Sequence, residues 1–177
     1  MIKIQANKPQ LVTLNRLNWT KHKLYYDSGA NKFINIHNYI RQEIDRILKL
    51  ITAKNFKRAH YLFLMLHDLL DMHHKVEEKN LFPYLEKLKL LEESKGLGKD
   101  HEIMNETLST LANQFKDSKK DGYESLQSEL LDTFTTFKIN MYKHLQDEED
   151  ITIPVIILGG FRFSCCTNES KVTCCFY

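Results

Sequence analysis

Glycine and proline are scarce in this chain, at 6 and 3 of 177 residues, and no glycine falls between Gly29 and Gly96. With no persistent alternation of apolar and polar residues either, that span excludes a strand-rich reading and leaves helix. An excess of one charge is also missing. Lys plus Arg number 25 and Asp plus Glu 23, interleaved rather than gathered in blocks, so no electrostatic footprint for nucleic acid is present. No stretch reaches the eighteen or so apolar residues of a membrane span, and the N-terminus lacks the order of a signal peptide, so the expectation is a soluble cytoplasmic protein with no membrane partner. Cysteine is absent before residue 165. Cys165, Cys166, Cys174 and Cys175 all lie in the tail and cannot staple the body of the chain.

What is there is helical periodicity. Residues 1–30 hold Pro9 and a loose aromatic set (Trp19, Tyr25, Tyr26) and are expected to form an N-terminal arm. From 31 to about 150, four amphipathic segments phase on steps of three and four. The first, roughly 31–52, aligns Phe33, His37, Ile40, Ile44, Ile47 and Ile51. The second, roughly 55–90, aligns Leu62, Leu66, Leu69, Leu70, His73, Glu77 and Leu81, with Pro83 expected to bend or end it. A turn at GLGKD introduces the third, roughly 99–117, which aligns His101, Met104, Leu108, Leu111 and Phe115. The fourth, roughly 122–150, aligns Leu130, Phe134, Phe137, Met141, His144 and Glu148. Short links after the first and third segments favour antiparallel neighbours. The expected fold class is therefore all-α, an up-down antiparallel four-helix bundle over 31–155 followed by a short C-terminal tail, 156–177.

Each apolar face is interrupted by a histidine, and the second and fourth also carry a glutamate four residues on. The phrase HHKVEEKNLFP at 73–83 recurs in outline as HLQDEEDITIP at 144–154, and the two copies use two of the three prolines. Polar groups in a core need partners, at a cost of about 1–3 kcal/mol each when unsatisfied. At 1.5 Å per residue, His37 and His73 both lie roughly 22–27 Å from their shared end of the bundle, and His101 and His144 roughly 24–33 Å from theirs. All six groups can therefore share one level. His at i and Glu at i+4 lie on one side of a helix, so a single helix can present both to one centre. Two equal half-sites point to two metal ions sharing carboxylates, and the nitrogen and oxygen donors suit iron or manganese better than a thiolate-seeking metal.

The order His37, HHKVEEKNLFP, DHEIM, HLQDEEDITIP resembles the hemerythrin-like, or HHE cation-binding, domains over roughly 33–155. That resemblance implies a bundle holding two non-haem iron ions, with His37, His73, Glu77, His101, His144 and Glu148 as ligands and the two glutamates as bridges. The pattern also points to a small ligand, O2, NO or peroxide, and the chain is expected to be a monomer or homodimer. Two departures set the chain apart from the oxygen carriers of that family. Asn105 stands where they have a second histidine on the third helix, and His144 pairs with Glu148 where they have an aspartate five residues on. The pattern looks more like relatives that handle nitric oxide and iron-centre repair, sense iron or oxygen, or decompose peroxide. A reading of a different class is a non-enzymatic iron or oxygen sensor or store whose stability follows metal occupancy. A third is a helical module that kept the motif and lost the metal.

Other features receive plainer expectations. His60, His67 and His74 share a heptad stripe about 100° from His73 and are expected on a partly solvated face, with His74 also able to support the site or replace His73 in register with Glu78. His22 is expected at the surface. Glu78 and Glu149 either orient a metal-bound histidine or face solvent. Phe33, Leu66, Leu70, Phe82, Phe134, Phe137 and Met141 are expected as core packing that keeps the pocket dry. HEIMN falls short of the HExxH of zinc proteases because Asn105 replaces the second histidine. Leu70 and Met141 stand where a ferritin-like site needs glutamates. IPVIIL is expected to close the bundle, and the cysteine-rich tail to be a disordered end rather than a metal, disulfide or acylation site.

Overall fold

The computed structural model describes the backbone of residues 29–87, 91–121, 123–159, 163–168 and 171–176, with side chains over 29–87, 96–117 and 127–157. Helix α1 runs Ala30–Thr52, α2 Phe56–Val76, a π-helical turn Glu77–Leu81, α3 Phe82–Lys87, α4 Leu91–Asp121 and α5 Tyr123–Gly159; strands β1 (Phe163–Asn168) and β2 (Lys171–Phe176) follow. Residues 1–28, which include the expected arm and His22, lie outside the described residues.

The chain divides into two compact units, one of Ile36–Asp147 and the other of the residues up to Asn35 and from Glu148 on. In the first, the four long helices contribute to one core. Ile44 and Ile47 of α1, Phe63 and Leu66 of α2, Leu108 and Leu111 of α4, and Phe134 and Phe137 of α5 all belong to it. These are the positions that the three-and-four spacing selects. Burying each side chain contributes about 1.5–3 kcal/mol, which gives the helical bundle its driving force. In the second unit, Ala30, Phe33, Ile153, Val155 and Ile156 are buried.

Helix α1 closes on backbone chemistry. Lys54 adopts φ 58°, its N–H donates to the Ile51 carbonyl at 3.0 Å, and the Asn55 N–H donates to the Leu50 carbonyl at 2.8 Å. This is a Schellman stop, with a lysine where glycine is usual. Asn55 then caps α2, its side chain accepting from the Arg58 N–H at 3.4 Å. A stop signal and a start signal act in two consecutive residues, which fixes the sharp reversal.

Two expectations need correction and a third is sharpened. The regular α-helix of the second segment gives way to a π turn at Glu77–Leu81, before Pro83, and Pro83 itself lies inside the helix that follows. Its missing N–H and its ring are accommodated by the wide turn before it, where the Phe82 N–H reaches back to the Glu77 carbonyl and the Asn80 side chain donates to the Val76 carbonyl at 3.0 Å. GLGKD is not a turn: Gly96 and Gly98 lie inside α4. Leu97 between them is buried one turn before His101, and packing overrides the poor helix propensity of glycine. The tail is not without structure. Its backbone forms an antiparallel hairpin that sets Cys165 opposite Cys174 and Ser164 opposite Cys175. Pro154, like Pro83, is carried within helix.

Candidate metal centre

Three of the expected ligands meet in the Ile36–Asp147 unit. His37 comes from α1, and His73 and Glu77 come from one turn of α2, with Glu77 opening the π turn. The Glu77 Oε1 atom lies 3.2 Å from His73 Nε2 and 3.9 Å from His37 Nε2. The two rings meet edge to face at 5.1 Å. All three residues are buried, and their donor atoms fall within 4.8 Å of one another.

A second group stands beside the first. His101 of α4 and His144 of α5 approach with Nε2 to Nε2 at 3.1 Å, and His74 of α2 stacks on His101 with ring centres 3.9 Å apart and planes 14° from parallel. The other oxygen of Glu77, Oε2, lies 3.8 Å from His101 Nε2. One carboxylate thus turns one oxygen toward each group. Glu148 is buried on α5, one helical turn after His144.

The outer faces of these imidazoles meet carboxylates. Glu78 Oε1 lies 2.9 Å from His101 Nδ1, and Asp100 Oδ2 lies 3.7 Å from His144 Nδ1. A carboxylate accepts only, so Glu78 holds the His101 proton on Nδ1 and leaves a lone pair on its Nε2. Asp100, beyond hydrogen-bond distance, acts on His144 through its charge. With the His101 proton on Nδ1, its Nε2 lone pair, 3.1 Å from His144 Nε2, is met by a His144 N–H or by a cation. Buried imidazoles around a shared glutamate, one of them with its outer nitrogen held by a carboxylate, are a donor set that fits iron.

The structure corrects the expected placement of two further histidines. His60 and His74 are buried, not partly solvated, whereas His67 retains exposure. The stripe they share flanks the core face of α2 and packs on α4: His60 stacks on Phe115 at 5.1 Å and His74 on His101. A bundle helix buries more than a narrow seam, and the phasing drew the apolar stripe too thin. Glu149 is buried, so it does not face solvent, and Asn105 is exposed. Asp100 was passed over although it directly precedes His101 in DHEIM. A carboxylate next to a site histidine was the available signal.

Residues 28–156 match the family model of the hemerythrin HHE cation binding domain. No curated protein and no solved structure gives a match. Among the described residues, no helix is long and apolar enough to cross a membrane.

Proposed function

Because the chain belongs to the hemerythrin HHE cation-binding family, we propose that it holds two non-haem iron ions on an up-down bundle and binds or reacts with a small ligand, O2, NO or peroxide, there. The observation that carries this reading is the meeting of two buried histidine groups on opposite oxygens of Glu77.

In this reading His37, His73 and Glu77 hold one ion, and His101 and His144 the other. Glu77, with one oxygen toward each group, would serve both. Glu148 would add a carboxylate, by the repeated His-x-x-x-Glu spacing that puts it on the face of α5 that carries His144. When bound, the irons supply the electrons and open positions for a diatomic or peroxide ligand.

The protein's own part is geometric and electrostatic. Glu78 holds the His101 proton at Nδ1, so that its Nε2 faces inward with a lone pair, and Asp100 adds a negative charge 3.7 Å from His144 Nδ1. Phe82 packs on His101 at 5.3 Å between ring centres, and with Leu70 and Met141, both fully buried, it limits water. An apolar surround of this kind admits small uncharged gases more readily than ions.

The test is consumption of nitric oxide or hydrogen peroxide by iron-loaded protein. Turnover in wild type that vanishes in His73→Ala and in Glu148→Ala, with helical content retained, is the expected result. Iron-loaded protein inert toward both, with no spectral change on adding O2 or NO, would contradict the reading.

A further inference from the structure

We propose that His74 is a metal ligand, so that one ion is held by three imidazoles, from His74, His101 and His144, while the other has two imidazoles and carboxylate. The inference rests on the iron-pair reading above and makes its two halves chemically unequal.

The geometry points this way on three counts. His74 is 2% exposed, against 1% for both His101 and His144. Donor nitrogens from all three fall within 4.8 Å of one another. The rings surround one small volume: His74 lies nearly parallel to His101, its edge meets His144 at 5.9 Å and 81°, and His101 meets His144 at 4.8 Å and 68°. Because an imidazole lone pair lies in its ring plane, His74 or His101 would turn out of the stack about its side-chain torsions for both nitrogens to serve one ion.

Helix α2 explains how one element serves both ions. His73 and His74 are consecutive, so their side chains leave the helix about 100° apart. His73 joins His37, His74 joins His101, and Glu77 stands one turn on, with an oxygen toward each group. A histidine buried only for packing has no need of two other imidazoles as its ring neighbours. His60, on the same stripe, shows that simpler case, stacked on Phe115.

The consequence is selective. Imidazole-rich sites suit divalent first-row metals, and carboxylate-rich sites suit harder ions. Loss of His74 should therefore weaken one ion and spare the other.

Full-length wild type, His74→Ala and His74→Gln are loaded anaerobically with Fe(II), and the two binding steps are resolved by competition with a graded chelator. Far-UV circular dichroism reports the fold of each. Wild type is expected to hold close to two irons per chain. In the variants one step weakens about ten-fold or more, the other stays within about two-fold, and added imidazole restores the weakened step in His74→Ala. His74→Gln, which keeps bulk and polarity, serves if the alanine variant does not fold. Two irons bound in the variants as in wild type, or equal weakening of both steps without imidazole rescue, would overturn the inference and leave the function reading standing. Wild type that takes up no iron would overturn both.

Discussion

Glu78 has a half-exposed side chain, yet its Oε1 atom lies 2.9 Å from Nδ1 of buried His101. A carboxylate there sets the tautomer and orientation of the ring, and outer partners of this kind are worth roughly 10–100-fold in metal affinity. Glu78→Ala should weaken iron binding by about that factor with little change in apo-protein stability. Glu78→Gln, whose carbonyl still accepts from Nδ1–H, should recover most of the loss; chelator competition reads both. At this scale the sequence was legible where a residue's role follows from spacing. The positions of His37, His73, Glu77, His101 and His144 follow from single-helix periodicity. His74 and Asp100 depend instead on which neighbouring helix lies alongside, and one-dimensional phasing does not contain that information.

Between elements, α1 and α5 are tied by a small polar cluster. Tyr142 donates its hydroxyl to the Arg41 carbonyl at 3.0 Å, and Lys138 pairs with Asp45 at 2.7 Å. Burial, and then the hydrogen bond to the Asp45 carboxylate, push the Tyr142 phenol from 10.0 up to about 12. A value raised on folding contributes stability that is complete below the unfolded value of about 10 and lost as pH rises through about 12. Tyr142→Phe should therefore be less stable than wild type at neutral pH by about 1 kcal/mol. It should also lack the wild-type decline between about pH 10 and 12, so the gap between their melting temperatures narrows across that window. The Lys138 ion pair holds the Asp45 carboxyl below its ordinary 3.8. That contribution is present above this value and disappears as pH falls below it.

Helix α4 gives a second check at this scale. A Cβ added at Gly98 meets nothing within 4 Å, so Gly98→Ala should stabilise by about 0.5–1 kcal/mol. For a chain of this size that is a rise of about 1–4 °C in melting temperature. No rise, or a fall, would favour the turn that GLGKD suggests. Helix starts and stops were legible where local chemistry decides them, as at Lys54 and Asn55. They were not legible where packing decides, as at Leu97 inside α4, or where a proline is absorbed by a π turn, as at Pro83. A composition of Cys, Thr and Ser at residues 163–176 likewise gave no alternation strong enough to announce a hairpin.

Across the whole molecule, the low glycine content, the four phased apolar faces and the repeated His-x-x-x-Glu phrase made the helical bundle legible. They also made visible that its polar intruders come together in clusters that could hold metal. The central claim is that the two buried histidine groups on Glu77 hold a pair of iron ions. The most direct measurement is metal content together with an optical spectrum, on protein purified without added metal. Close to two irons per chain, with ligand-to-metal charge-transfer bands in the near ultraviolet and visible, is the result this account predicts. No iron, or a single zinc with no such bands, would contradict it.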